Sequence, residues 1–328
     1  MQNPKQHLSV QSNLGDLRIT RGWIIRVIGS AVILAGLLWY LPTDQLWSGL
    51  VSVGPALFLT VFVLFLVGHS AAAFKWLWLL SFDFPYAIAL RAHFAGLAAN
   101  LCLPGVAGGD VVRAALVSGY KSLSELTAGS LGDRLIDMLA LALLALAGVL
   151  MLQDGSNTAL AVQLVVLFAV AVLGVFYVAP TVGSLVLQKF SNLPARALLD
   201  KMLHAFGALG KRPGTLMVAL SLSLAIQAGF IWLTILLAQA AGLDVPVGVW
   251  FFAWPVAKIL AVLPISLGGI GVREVSLSAL MVPFGADAAL VVAASLIWQA
   301  VLICAGILGA IALAVSTVRP VRGAECRE

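Results

Sequence analysis

The chain is assembled from apolar runs that are each about as long as a lipid bilayer is thick. Stretches dominated by apolar residues lie at 24–41, 49–80, 134–152, 159–179, 215–240 and 288–316. Roughly 20 such residues in a helix cross about 30 Å of hydrocarbon. Few folds survive that constraint. Inside hydrocarbon every backbone N–H and C=O must find a partner within the protein, so only helices and closed barrels span. A barrel would show alternation in segments of about ten residues, whereas these runs are continuous. Hydrophobic residues make up 62% of the 328 and charged residues only 10%, which excludes a soluble globular class. An all-α polytopic membrane protein is expected.

The net charge of +5 raises nucleic acid as a partner, and the placement of the charges argues against it. Lys5, Arg18, Arg21 and Arg26 precede the first run. Lys189, Arg196, Lys201, Lys211 and Arg212 fall between 180 and 214, and Arg319, Arg322 and Arg327 follow the last run. The connections at 42–48, 153–158 and 241–248 contain Asp44, Asp154 and Asp244 but no Lys or Arg. Basic residues gathered on alternate loops are the positive-inside pattern. It places both termini in the cytoplasm and the protein in the cytoplasmic (inner) membrane. Val27–Leu41 behind its basic flank resembles a signal peptide, but Leu41-Pro42-Thr43-Asp44-Gln45 offers no small-residue cleavage pattern, so a retained first helix is expected.

One undecapeptide occurs twice. Leu103-Pro104-Gly105-Val106-Ala107-Gly108-Gly109-Asp110-Val111-Val112-Arg113 returns 160 positions later as Leu263-Pro264-Ile265-Ser266-Leu267-Gly268-Gly269-Ile270-Gly271-Val272-Arg273, with six of eleven positions identical. A shared Leu or Val means little in so apolar a chain. A shared Pro, Gly-Gly and Arg at fixed spacing carry backbone and charge consequences that bulk hydrophobicity does not supply. Paired Pro/Gly-interrupted apolar segments in two halves of a membrane protein point to a transporter's binding site.

The segments 84–122 and 249–284 that contain these motifs are expected as re-entrant hairpins. Pro104, Gly108 and Gly109 would form the turn of the first, and Pro264, Gly268 and Gly269 the turn of the second. Read as full crossings in series, they would erase the charge asymmetry between inner and outer loops. Three crossings separate the hairpins, so the repeats would be inverted. The expected architecture is an inverted repeat of helix, broken hairpin and helix, with about six full spans plus two hairpins; about ten spans is the alternative. By this reading residues 1–23 are a cytoplasmic segment and 24–316 one transmembrane domain. Repeat one occupies 49–152, repeat two 215–316, and 317–328 form a cytoplasmic tail. The basic stretch 184–213 reads as a cytoplasmic linker, or as an amphipathic helix on anionic lipid. The long run 49–80 is expected to tilt or project inward, carrying Lys75-Trp76 to the interface.

Charged residues at membrane depth are costly, about 3 kcal/mol or more each, which makes them functional candidates. Asp110 is expected to cap a returning half-helix that begins near Val111, with Arg113 one turn in. A half-helix N-terminus together with an arginine fork suits a phosphate. Arg273 repeats the arrangement with Glu274 beside it. The plainer alternative is an internal Asp110–Arg113 pair that lets a broken helix end sit in the membrane. Asp133, Arg134 and Asp137 open the third span as a self-neutralising cluster or a headgroup gate. The matching helix of the second half offers Trp298-Gln299. Lys258, alone in an apolar arm, would take Glu274 or a ligand phosphate as partner. Arg91 and Asn100 lie on the first inward arm, and Asn100 serves equally as a ligand contact or a helix–helix hydrogen bond. His69 and His93 look isolated. Trp76–Trp78 and Trp250–Trp254 read as interface anchors. The three cysteines lack pair spacing, so no disulfide, metal or cofactor is expected. No GxxxxGK[ST] loop is present for ATP hydrolysis.

Asn100…Leu103-Pro104-Gly105…Gly109-Asp110…Arg113, Asp133-Arg134…Asp137 and Pro264-Ile-Ser-Leu-Gly-Gly-Ile-Gly-Val-Arg273-Glu274 together resemble the transmembrane region of lysylphosphatidylglycerol synthases, over roughly residues 20–316. That region also occurs as stand-alone, flippase-like membrane proteins of about this length. Lys75-Trp76 stands where relatives often carry Arg-Trp. In multi-domain relatives the region is held to move aminoacylated phosphatidylglycerol while a separate cytoplasmic domain makes it, and no such domain lies within these 328 residues. The resemblance therefore implies translocation without synthesis. The expected partner is a membrane phospholipid or polyprenyl-phosphate lipid, with a partner synthase and a homodimer as further candidates. A membrane-embedded enzyme or accessory subunit of lipid-linked glycan or aminoacyl-lipid synthesis is the alternative function, and an ion or solute carrier suits an arginine-lined site poorly.

Overall fold

A computed structural model describes residues 28, 35–36, 39, 41–102, 107–152, 158–189, 196–261 and 269–316. Among them are twelve α-helices, one short 3-10 turn and no strand. Five helices are long and apolar enough to cross a membrane. The expected span 24–41 lies almost wholly outside the described residues, as do Pro104, Pro264, Gly268 and the tail from 317.

The run 49–80 is two helices rather than one tilted span: α1 (Thr43–Ser52) and α2 (Pro55–Leu79). Pro55 explains the break. Its ring disfavours helical backbone at Gly54, which is extended (φ −63°, ψ 149°), while its own fixed φ suits the first position of α2. The first half continues through α3 (Tyr86–Cys102), α4 (Ala107–Leu116) and α5 (Leu123–Met151). Ser122 and Glu125 cap α5 reciprocally: the Ser122 hydroxyl accepts from Glu125 N–H at 3.4 Å, and the Glu125 carboxylate from Ser122 N–H at 3.2 Å. Next come α6 (Thr158–Tyr177), α7 (Ala179–Lys189) and α8 (Arg196–Gly210). The second half is α9 (Pro213–Ala240), α10 (Val247–Leu260), α11 (Val272–Met281) and α12 (Ala288–Ser316).

The two halves correspond element by element. Their helices run 25, 17, 10 and 29 residues in the first and 28, 14, 10 and 29 in the second. The correspondence extends past the undecapeptide. After α2 the chain reads Asp83-Phe84-Pro85, and after α9 Asp244-Val245-Pro246. Both turns close alike, with Phe82 N–H on the Leu77 carbonyl (3.1 Å) and Leu243 N–H on the Ala238 carbonyl (2.9 Å). Ser81 and Gly242 hold the left-handed conformation at φ 71° and 87°. Packing is exchanged between halves: α3 lies against α12, α10 against α5, and α2 against α9.

Glycine permits these close crossings, as is usual where helices associate in lipid. A Cβ on Gly148 of α5 would run into the α10 backbone at Phe251 and Phe252, and one on Gly309 of α12 would meet the Phe94 carbonyl of α3. Gly148→Val should therefore cost about 2–3 kcal/mol in a detergent unfolding titration. Gly229→Ala, where an added Cβ meets nothing within 4 Å, should stay within about 1 kcal/mol of wild type.

The aromatic residues expected at the interface are mostly inside. Trp76, Trp250 and Trp254 are buried, and Phe65, Phe230, Trp254 and Trp298 form the aromatic centre of the main core. Parts of the basic linker also turn inward. Phe206 and Leu209 of α8 pack with Phe176 and Val172 of α6 and Ile136 of α5, so that apolar face is spent on the protein rather than on lipid.

Candidate functional site

Lys75 is enclosed by protein. It is 1% exposed on α2. Its ammonium meets Asp133 at 3.0 Å and Asp137 in a short contact, both on α5, and donates to the Ser223 hydroxyl of α9 at 2.7 Å. Ser223 in turn donates to Asp137 at 2.7 Å. The ammonium thus donates to Asp137 and Ser223 and lies in ion-pair range of Asp133, which offsets the cost of burying its charge.

Arg134 reaches across to another helix. Its Nε contacts Asp110 of α4. Asp110 is the fourth residue of α4, which starts at Ala107, so it acts as an ion-pair partner inside the first turn and not as the cap. The same carboxylate meets Arg113 at 3.3 Å. Arg113 also reaches Asp133 at 3.6 Å and donates to Ser130 at 3.3 Å, and its guanidinium lies 4.3 Å from the centre of the Trp76 ring. Its Nε has no hydrogen-bond acceptor among the described residues. Lys75, Arg113 and Arg134 thus face Asp110, Asp133 and Asp137: three cations and three carboxylates in one interior cluster.

The two histidines that look isolated in sequence meet in space. His69 Nδ1 and His93 Nε2 are 3.0 Å apart, and Arg113 Nη1 lies 3.4 Å from His93 Nδ1. A guanidinium only donates, so His93 Nδ1 accepts. With both rings neutral, His93 Nε2 then carries the proton and donates to His69. His69 stacks on Phe230 with centroids 5.1 Å apart, which carries the polar chain to the boundary between the halves.

In the second half Arg273 is anchored similarly. It donates to Ser295 of α12 at 3.1 Å, Glu274 at 2.8 Å and Gln299 at 3.0 Å, with Trp254 beneath it at 5.9 Å. Ser130 and Ser295 are each the eighth residue of their 29-residue helix, so the arginine–serine contact is repeated between halves. Glu274 is 0% exposed; besides Arg273 it accepts from Ser295 and from Gly271 N–H at 2.7 Å. Gly269 and Gly271, at φ 81° and 86°, supply the left-handed backbone that brings this N–H to the carboxylate. Both arginines already hold partners within the protein.

Lys258 is different. Glu274 is not its partner. It donates to Gln227 at 2.7 Å and sits 5.7 Å from the Phe230 ring centre. Among the described residues no carboxylate pairs with it, which leaves one interior positive charge in excess. Exposure separates the groups further. The side chains of Asp137, Arg134 and Asp110 are 32%, 30% and 21% accessible, whereas those of Arg113, Arg273, Lys75 and Asp133 are at 8% or less. The first set is reachable from outside the protein, and the second is enclosed by it.

Asn100 ties α3 to α4: its side-chain oxygen accepts from Gly109 N–H at 2.8 Å. Gly109 leaves room for this, since a Cβ there would lie 2.5 Å from the Gly96 carbonyl oxygen. Arg91 is exposed. Lys75, His69 and His93 carry weight that the sequence reading did not give them. The available signal was that all three are ionisable residues within long apolar runs.

A family model for the lysylphosphatidylglycerol synthase TM region matches residues 24–309, and the chain belongs to that family of multi-pass membrane proteins. No curated protein and no solved structure matches it.

Proposed function

We propose that this member of the lysylphosphatidylglycerol synthase transmembrane-region family is a flippase-like translocase. It would carry the headgroup of an anionic or aminoacylated phospholipid, or another lipid phosphate, across the cytoplasmic membrane without ATP hydrolysis. One observation carries the reading: the excess cation Lys258 and the partly accessible Asp110, Arg134 and Asp137 lie among helices long enough to span the bilayer. Such groups face a wet or polar interior rather than lipid. Lys258 and Arg134 receive the phosphate, while Asp137 and Asp110 receive a cationic headgroup. Arg113, Arg273, Lys75, Asp133 and Glu274 act as the rigid frame, and the acyl chains remain in the surrounding lipid.

The frame supports an inverted repeat. At 1.5 Å per residue, α4 and α11 reach only about 15 Å, half the hydrocarbon, a length that supports reading α3–α4 and α10–α11 as re-entrant hairpins. The exchanged packing of α3 on α12 and α10 on α5 is what a two-fold relation between the halves produces; with that axis in the membrane plane, rocking of one repeat against the other would open the site to each face in turn.

The test is headgroup movement in proteoliposomes. Fluorescent phosphatidylglycerol on the inner leaflet should become accessible to an impermeant quencher at least tenfold faster than in protein-free vesicles. Equal rates with and without protein, for phosphatidylglycerol, its aminoacylated form and a polyprenyl phosphate, would remove the reading.

A further inference from the structure

Away from the charged interior, α6, α7 and α8 enclose two adjoining hollows. Only 11% of the spanning window of α6 is buried within the protein, and Leu160, Leu164, Leu167, Val170 and Leu173 are exposed along it, as on a helix that faces lipid. The first hollow is a groove of about 710 Å³, lined by apolar residues including Val170, Leu173, Gly174, Val178, Val182 and Leu203. The second, about 490 Å³, is lined by Thr181, Ser184, His204 and Lys211 among others. Tyr177 borders both. An apolar slot that opens directly onto a basic, hydroxyl-lined pocket has the two-part chemistry of a phospholipid.

The polar residues are available for a ligand. Lys211 has no carboxylate partner among the described residues, while its neighbour Arg212 is committed to Ser81 at 2.5 Å. His204 Nδ1 is engaged by the Asp200 carbonyl at 2.8 Å, which leaves Nε2 for the pocket. The stretch from 180 to 214 carries five cations (Lys189, Arg196, Lys201, Lys211 and Arg212) against the single carboxylate of Asp200. Of the five, Lys211 lines the pocket, and the Asp200 carboxylate lies 3.7 Å from His204; the cationic surroundings favour an anionic occupant. Gly174 lines the slot, and a Cβ there would meet nothing within 4 Å, so a larger side chain at this position would occupy the groove without disturbing the fold.

We propose that α6–α8 form a binding site for one anionic glycerophospholipid, with an acyl chain along Gly174 and Leu203 and the phosphate between Lys211, His204 and Thr181. The site is separate from the translocation pathway, and its existence does not depend on transport.

The full-length protein in phosphatidylcholine nanodiscs, titrated with spin-labelled phosphatidylglycerol or phosphatidylcholine, tests this by the immobilised fraction. Wild type should retain phosphatidylglycerol in preference. Lys211→Gln should lower that preference roughly fivefold, the effect of one lysine near a lipid surface. Gly174→Leu should remove one immobilised lipid per chain, and both variants should melt as wild type does. Two results overturn the proposal. One is the same immobilised fraction and preference in wild type and both variants. The other is displacement of the lipid by millimolar glycerol phosphate, which would make this a site for soluble phosphates.

Discussion

Lys75→Met should destabilise the protein by about 3–5 kcal/mol, the cost of removing one partner from a buried charge cluster. Methionine fills nearly the same volume, so the loss is electrostatic. Asp133 would be left with Arg113 at 3.6 Å, and Asp137 with Ser223 at 2.7 Å, both without the ammonium that now lies between them. The balance of three cations and three carboxylates makes a second variant decisive. Adding Asp137→Leu restores equal numbers, Arg113 and Arg134 against Asp110 and Asp133, and should recover more than half of the lost stability. Unfolding titrations in detergent measure both. A single variant within about 1 kcal/mol of wild type, or a double variant worse than the single, would show that the cluster is not the framework of the interior.

Lys258→Met should slow headgroup translocation about a hundredfold while leaving the fold nearly intact. A charge-assisted hydrogen bond to a phosphate contributes about 1.5–3 kcal/mol, and each 1.36 kcal/mol in a barrier is tenfold in rate. Little of the frame depends on this lysine, whose direct partner is the amide oxygen of Gln227. Lys258→Arg should keep most of the rate, because the charge is what the headgroup requires. Proteoliposome transport rates with melting curves in parallel separate the two effects. If Lys258→Met transports at the wild-type rate while Arg134→Gln does not, the phosphate is held at the α4–α5 side and Lys258 has no part in binding.

Spans were legible in the sequence because the bilayer demands length, and length survives averaging over a window. The break at Gly54-Pro55 did not survive it, and two helices read as one tilted run. The side chains that cross between helices were harder still. Asp133 and Asp137 are four apart and share a face, but Arg134 is turned about 100° from Asp133. The aspartates therefore meet Lys75 of α2 while Arg134 meets Asp110 of α4, where the sequence alone suggests a local cluster. His69 and His93 are 24 residues apart on helices whose adjacency no local pattern announces. Tryptophan misled for a related reason. Its frequency at membrane interfaces is a statistical tendency, and Trp76 beneath Arg113 and Trp254 beneath Arg273 have a local electrostatic use instead. The repeat was legible at its glycines and arginines. Its extension to Asp83-Phe84-Pro85 and Asp244-Val245-Pro246, and to Ser130 and Ser295, emerged once helix starts could be aligned.

The whole account rests on two halves mounted in opposite directions around one charged interior, and sidedness tests that directly. Asp83 and Asp244 occupy equivalent exposed turns. In a cysteine-free background, Asp83→Cys and Asp244→Cys should react with an impermeant maleimide from opposite faces of the membrane, Asp244→Cys in intact cells and Asp83→Cys after inside-out vesicles are made. Labelling of both from the same face would contradict the inverted arrangement and the transport reading built on it.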